Sequence, residues 1–172
     1  FKEEPSGQVR LDSVRFSQPW QPDGPPATDV PSGRDNLAVR AVELLRSRAG
    51  IRQGAGIRLV KRIPSAAGLG GGSSDAAAAL VAANTLWQLD LPQERLLAYA
   101  ALGETVASGA GHLDNLAPSL FGGLVLCEDG DPPHVTRLPV PEGLRCVLVH
   151  PALRVHTREA RAMLDPTVPL AR

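Results

Sequence analysis

The chain has 172 residues, of which 43% are hydrophobic and 21% charged, a balance typical of a folded globular protein and not of a disordered one. Eighteen basic and eighteen acidic side chains cancel, which argues against the basic surface of a nucleic-acid-binding protein. No apolar run reaches the length of a membrane span. The two cysteines, Cys127 and Cys146, are too few for a disulfide scaffold. We therefore predict a cytoplasmic protein in which both thiols are small core residues.

The predicted elements follow from apolar periodicity and from the positions of proline and glycine. Alternating or continuous apolar runs predict strands at Val9–Phe16, Ile57–Ile63, Leu124–Cys127 and Leu144–His150. Helical spacing predicts helices at Asp35–Ser47, Ser74–Trp87, Pro92–Leu102, Leu116–Leu120 and Thr157–Leu164. Because strands and helices mix without strict alternation, the sequence predicts an α+β fold with a layer of helices on a sheet.

The segment between the Ile57–Ile63 strand and the next helix is the most informative part of the chain. It reads PSAAGLGGGSSDAAA over residues 64–78, with four glycines in the five residues 68–72. Glycines let backbone N–H groups converge, and we predict that Ser73 or Ser74 caps the helix that follows. A helix that begins at such a loop attracts anions. The segment therefore predicts a phosphate-binding loop.

Better-known phosphate loops do not match this segment. A Walker loop requires a lysine that is absent after Gly72, and the GxGxxG pattern fails because Ser73 stands where its last glycine belongs. A plain flexible connector is the other interpretation, but a connector does not require four glycines, two hydroxyls and the carboxylate of Asp75.

The loop resembles that of the GHMP kinases, P-x-x-x-G-L-G-S-S-A. Its form GLGGGSSDAA is most similar to the 4-diphosphocytidyl-2-C-methyl-D-erythritol kinases, over residues 35–87. The resemblance implies a ribosomal protein S5 domain 2-like N-terminal domain, the start of a ferredoxin-like C-terminal domain, and the use of ATP with Mg²⁺. It also implies that the nucleotide lies on Pro64, Ser65, Ala66, Ala67, Gly68, Leu69, Gly70, Gly71, Gly72, Ser73 and Ser74.

The second half of the chain resembles a different member of the same superfamily. The G-S-D-V-P-F segment of the first kinase type, which carries its catalytic Asp, is absent. Residues 101–172, with Gly103-Glu104 and HLDNLAPSLFGG at residues 112–123, are instead similar to the homoserine kinases. The resemblance implies catalytic roles for Glu104, Asn115 and Arg161, and a small-molecule substrate held by His112, Asn115, Thr157 and Arg161.

Elementary chemistry is consistent with these roles. Glu104 supplies the hard oxygen that Mg²⁺ prefers, with Ser74 as its partner ligand. A guanidinium such as that of Arg161 suits a bidentate clamp on a carboxylate or phosphate.

Structural alternatives exist for several of these residues. Asn115 can be a helix cap, His112 a loop histidine, Arg161 a solvated helix residue and Asp75 a partner of the helix dipole.

The resemblance divides the chain into an N-terminal ATP-binding domain at residues 1–142 and the beginning of a second domain at residues 143–172. It implies a P-A-K-I-N-L-like strand before Phe1, so we expect the chain to be incomplete. Homoserine kinase is the favoured function, the erythritol-derivative kinase is the alternative, and a non-catalytic nucleotide-binding fragment stays open. A homodimer is also possible under this interpretation. No nucleic-acid or membrane partner is expected.

Overall fold

The computed structural model describes residues 1–17, 30–63, 68–108, 113–128 and 130–149, together with residues 163 and 167. The strands are β1 (Lys2–Glu4), β2 (Val9–Phe16), β3 (Gly54–Lys61), β4 (Leu124–Glu128) and β5 (His134–Leu138). The helices are α1 (Leu37–Arg48), α2 (Gly71–Leu86), α3 (Gln93–Ser108) and α4 (Leu113–Phe121), and a 3₁₀ turn at Gly33–Asp35 precedes α1. This arrangement confirms the predicted α+β class.

The main sheet has the strand order β1-β3-β2, with β3 in the centre. β2 runs parallel to β3, from the pair Val9 and Ala55 to the pair Phe16 and Lys61. Parallel neighbours require a crossover connection, and the segment containing α1 provides it. β1 is antiparallel to β3, and β4 and β5 form a separate antiparallel hairpin. The carboxyl ends of β2 and β3 therefore lie at the same edge of the sheet.

The core lies between the sheet and the four helices. The buried face of α1 includes Val39, Val42 and Leu45, and the buried face of α2 consists mainly of alanines around Leu80. Alanine side chains are short, so the two helices pack closely. Leu96 and Leu97 of α3 and Leu116, Ala117 and Leu120 of α4 complete the core, whose apolar burial is the main stabilising contribution to the fold.

Two side-chain amides help to hold α3 and α4 in position. Asn84 closes the connection between α2 and α3, because its amide donates to the Leu91 carbonyl and accepts from the Leu91 N–H, both at 3.1 Å. Gln93, at the start of α3, donates to the Leu120 carbonyl at the end of α4 at 2.9 Å. Helix α4 is thereby held against α3.

Several element boundaries differ from the predicted ones. α1 begins at Leu37, because Asn36 caps it by accepting from the Ala38 N–H at 2.9 Å. α2 begins at Gly71 after the left-handed residue Gly70, so the prediction that Ser73 or Ser74 caps it is wrong. α3 continues through Gly103 to Ser108 because its small residues pack against α1, where a β-carbon on Gly103 would contact Ala41 at 3.5 Å.

Two further expectations are corrected beyond β5. Residues 144–149 are not a strand, and Val147 and Val149 are 87% and 85% exposed, since no neighbouring strand within the described residues pairs with them. For the same reason Cys146 is exposed and not in the core, whereas Cys127 packs against the core from β4. The predicted helix Thr157–Leu164 lies outside the described residues except for Met163. Among the described helices, none has the length and hydrophobicity needed to cross a bilayer.

The cap of α1 can be tested by substitution. Asn36 is only 5% exposed, accepts from the Ala38 N–H and donates to the Pro31 carbonyl at 3.0 Å. We expect Asn36→Ala to lower the free energy of unfolding by about 1–2 kcal/mol, measured by urea denaturation. Asn36→Asp keeps the capping oxygen and should lose less. Equal losses in the two variants would show that the bond to Pro31, and not the cap, is the stabilising contact.

Candidate functional site

The glycine loop meets helix α2 through a backbone conformation that requires glycine. Gly70 has φ of 64° and ψ of 23°, in the left-handed region, and no side chain caps the helix. The Ser74 N–H donates to the Gly70 carbonyl at 2.9 Å. The amides of Gly71 and Gly72 precede this bond, so they belong to the turn whose N–H groups lie at the positive end of the helix dipole. The local backbone is that of an anion-binding helix start.

Neighbouring side chains approach Gly70 and Gly71 closely. A β-carbon on Gly70 would lie 2.7 Å from Oδ1 of Asn115, and one on Gly71 would lie 3.0 Å from Nζ of Lys61 and 3.1 Å from Cγ2 of Ile63. The distance at Gly70 is shorter than any ordinary β-carbon contact, and the two distances at Gly71 are tight enough that the neighbours would have to move. The end of β3, the start of α2 and the start of α4 therefore converge on two glycines.

Lys61 and Asp75 form a buried ion pair behind the loop. Their Nζ and Oδ2 atoms are 2.5 Å apart, and the side chains are 4% and 16% exposed. Burial raises the pKa of Asp75 above its usual range, while the hydrogen bond and the positive charge of Lys61 oppose that rise. The pair ties the last residue of β3 to the second turn of α2 and neutralises a carboxylate that would otherwise repel an anion at the helix start.

Asn115 reaches the site from the other half of the chain. It lies in the first turn of α4, whose Leu116, Ala117 and Leu120 are buried in the core. The core therefore sets where the exposed side of this turn points, and the Asn115 amide lies against Gly70. The structure thus brings together one residue from each of the two motifs that the sequence singled out.

The structure describes only some of the remaining predicted site residues. Ser74 lies in the first turn of α2 and its hydroxyl donates to the Gly71 carbonyl at 3.0 Å, while Ser73 is buried. Gly68 and Leu69 are exposed at the tip of the loop. Glu104 lies on α3, but its side chain is not described. Residues outside the described part are Pro64, Ser65, Ala66, Ala67, His112, Thr157 and Arg161.

Sequence reasoning missed Lys61, and it offered only a helix-dipole role for Asp75. A signal was available in β3, where residues 57, 59 and 61 share one face of the strand. Ile57 is buried on that face, so a lysine two positions beyond Leu59 requires a buried partner. The partner itself, fourteen residues further along the chain, could not be identified from periodicity.

The described residues do not contain a group of three or more histidine, cysteine, aspartate or glutamate side chains that could hold a metal ion. A magnesium ion bound together with nucleotide phosphates needs only one or two protein ligands, since phosphates and water supply the rest. The hydroxyl oxygen of Ser74 is one suitable donor at the helix start.

Comparison with known proteins places these motifs in a family. The pattern of the GHMP kinases N terminal domain matches residues 36–123, which contain both the glycine loop and the HLDNLAP segment. A crystal structure of homoserine kinase from Cytophaga hutchinsonii superposes with a TM-score of 0.76 at 31% identity, covering 94% of this chain and 49% of that one.

Two curated relatives match a similar stretch. Homoserine kinase of Chloroherpeton thalassium is 35% identical over 137 residues, 78% of this chain and 43% of the relative. The 4-diphosphocytidyl-2-C-methyl-D-erythritol kinase of Pelotomaculum thermopropionicum is 45% identical over 140 residues, 80% of this chain and 45% of the relative. The chain thus spans less than half the length of these relatives.

The crowding at Gly70 leads to a testable prediction. Gly68 and Gly70 both have positive φ, but a β-carbon at Gly68 would meet nothing within 4 Å among the described residues. We expect Gly68→Ala to lower the free energy of unfolding by about 1–2 kcal/mol through backbone strain alone. Gly70→Ala should lose roughly 1–3 kcal/mol more, because its methyl group collides with Asn115. Thermal and urea denaturation measure both values.

The second-site variant Asn115→Ala identifies the colliding group. In the Gly70→Ala background it should recover most of the additional loss, whereas in the Gly68→Ala background it should recover nothing. A Gly70→Ala variant no less stable than Gly68→Ala would contradict the close approach.

The Lys61–Asp75 pair leads to a second prediction. Lys61→Met leaves the Asp75 carboxylate without its partner and should lower the free energy of unfolding by about 3–5 kcal/mol. Asp75→Asn should also destabilise, and the double variant should lose much less than the sum of the two. Arg58→Met, on the exposed face of the same strand, is the matched control and should change stability by at most about 0.5 kcal/mol. Additive losses would show that the two side chains are not coupled.

Proposed function

The chain belongs to the GHMP kinase family, and on that premise we propose that it is the nucleotide-binding part of an enzyme that transfers the terminal phosphoryl group of ATP to a hydroxyl of a small metabolite. The contact between Gly70 and Asn115 carries the proposal. It joins a helix start suited to phosphate with the motif that the sequence assigns to substrate. A phosphoryl donor and its acceptor must meet at one such point.

Homoserine is the acceptor we favour. Relatives named homoserine kinase, from Chloroherpeton thalassium and other organisms, cover about four-fifths of this chain. In this proposal His112, Asn115, Thr157 and Arg161 hold the amino acid, with Arg161 gripping its carboxylate through two parallel hydrogen bonds. Residues 1–142 form the nucleotide domain and residues 143–172 begin the domain that completes the substrate site.

The second candidate is 4-diphosphocytidyl-2-C-methyl-D-erythritol kinase activity. The specific observation in its favour is the Pelotomaculum relative, whose identity of 45% exceeds that of the homoserine kinase relatives named above. The GLGGGSSDAA form of the loop supports the same candidate. The two candidates share the nucleotide site and differ in the acceptor.

The residues at the helix start fit the phosphates of a nucleoside triphosphate. Gly72 is exposed at the helix start, and the Lys61–Asp75 pair removes the repulsion of a lone carboxylate. When bound, Mg²⁺ would neutralise phosphate charge, and Ser74 with Glu104 would hold it. Asn115, Glu104 and Arg161 then act by positioning and charge stabilisation, in a cytoplasmic enzyme that acts on small molecules.

ATP binding by this chain is the direct test of the nucleotide site. We expect Mg·ATP to bind with a measurable heat in isothermal titration calorimetry and Gly70→Val to abolish that heat, because a β-branched side chain both resists positive φ and blocks the loop. Gly50→Ala, at a residue with positive φ beyond the end of α1 where a β-carbon meets nothing within 4 Å among the described residues, carries backbone strain without crowding and is the control that should keep binding. A folded Gly70→Val variant with unchanged ATP affinity would contradict the proposal.

Phosphoryl transfer from radiolabelled ATP then separates the candidates. L-homoserine and 4-diphosphocytidyl-2-C-methyl-D-erythritol are offered as acceptors in parallel, and we expect label on homoserine. Label on the cytidylyl compound alone would favour the second candidate. ATP binding without transfer to either would support the non-catalytic nucleotide-binding alternative.

A further inference from the structure

A cavity of about 390 Å³ lies far from the glycine loop. Its wall consists of residues 7–11, Gly33 and Arg34, and two side chains of α1, Glu43 and Arg46. Val9 pairs with Ala55 near the start of β3, whereas Lys61 ends that strand beside the loop. Six residues of extended strand separate the two ends by about 20 Å. The cavity is therefore separate from the nucleotide site.

The charge of the cavity is dominated by guanidinium groups. Arg10, Arg34 and Arg46 line it, together with the single carboxylate of Glu43. Arg10 already contacts Glu4 at 2.9 Å and Asp12 at 2.7 Å, and Arg34 contacts Glu43 at 3.4 Å. Arg10 and Arg34 thus have carboxylate partners, whereas Arg46 has no ion-pair partner among the described residues.

Arg46 also has a donor that the fold does not use. Its Nε atom is buried and makes no hydrogen bond within the described part of the chain. A buried N–H without an acceptor is unfavourable, because it has lost its hydration without replacement. An arginine placed only to complement the C-terminal end of a helix dipole would not need this burial, and the exposed Arg48 on the last turn of α1 already serves that purpose.

We propose that this cavity is a second binding site, at which Arg46 holds the phosphate or carboxylate group of a small metabolite. A guanidinium binds such oxyanions through parallel N–H···O bonds. The volume lies within the range of small-molecule sites. Glu43 is the ion-pair partner of Arg34, so an oxyanion bound in the cavity would be the partner that Arg46 lacks. The site does not depend on the proposed kinase activity.

The test uses inorganic phosphate and acetate as probes in separate titrations of the chain, with sodium chloride added to constant ionic strength. We expect saturable binding of at least one probe, and the stronger probe identifies the source of the oxyanion. The ¹⁵N NMR resonance of Arg46 Nε in the unsubstituted chain should shift on binding. Phosphate can also bind at the glycine loop, so the titration is repeated with Gly70→Val, in which the Arg46 shift should persist.

Arg46→Met should weaken binding at this site roughly tenfold or more, and Arg46→Lys should recover only part of it because an ammonium cannot reproduce the fork. Arg48→Met is the matched control, since Arg48 lies on the same helical turn but does not line the cavity. No shift of the Arg46 resonance with either probe would overturn the proposal. Equal losses in Arg46→Met and Arg48→Met would also overturn it, since they would reflect general electrostatic attraction.

Discussion

The close approach of three elements to Gly70 and Gly71 is the constraint on which the site depends. Asn115 lies where the β-carbon of residue 70 would stand, and Lys61 and Ile63 lie where that of residue 71 would stand. Only glycine satisfies the positive φ and the lack of space at residue 70 together. The absence of side chains at these two residues lets β3 and α4 approach the helix start, while the neighbouring Gly72 is exposed.

The sequence predicted the elements whose signals are local. The alternation of β2, the glycine loop and the apolar spacing of α1 each depend on a few adjacent residues, and the structure contains each element within a few positions of the predicted bounds. The start of α2 was predicted wrongly because serine is a good cap in general, whereas here the left-handed Gly70 ends the loop earlier. Residues 144–149 were predicted as a strand because a strand's apolar pattern does not reveal whether a partner is present.

The candidate site was less predictable than the fold, because its contacts join distant parts of the chain. Gly70 and Asn115 are 45 positions apart, and their contact depends on how α4 packs against α2 and α3. Lys61 and Asp75 belong to one supersecondary unit, yet the pairing depends on how far the loop carries the chain before α2 begins. Motif resemblance identified the loop and Asn115, while the partner of the buried Lys61 depends on tertiary packing that the sequence pattern does not show.

A carboxylate beside the proposed phosphate-binding loop is a physical difficulty that the ion pair resolves. Asp75 lies in the second turn of α2, where the helix dipole favours it only weakly and burial disfavours its charged form. A metal ion would be one remedy, but the counter-ion in this chain is Lys61, buried within the fold. Because that charge comes from the central strand, it is fixed before any ligand arrives. The loop can then present its amides to an anion without first reorganising a repulsive neighbour, which is the preorganisation that charge stabilisation requires.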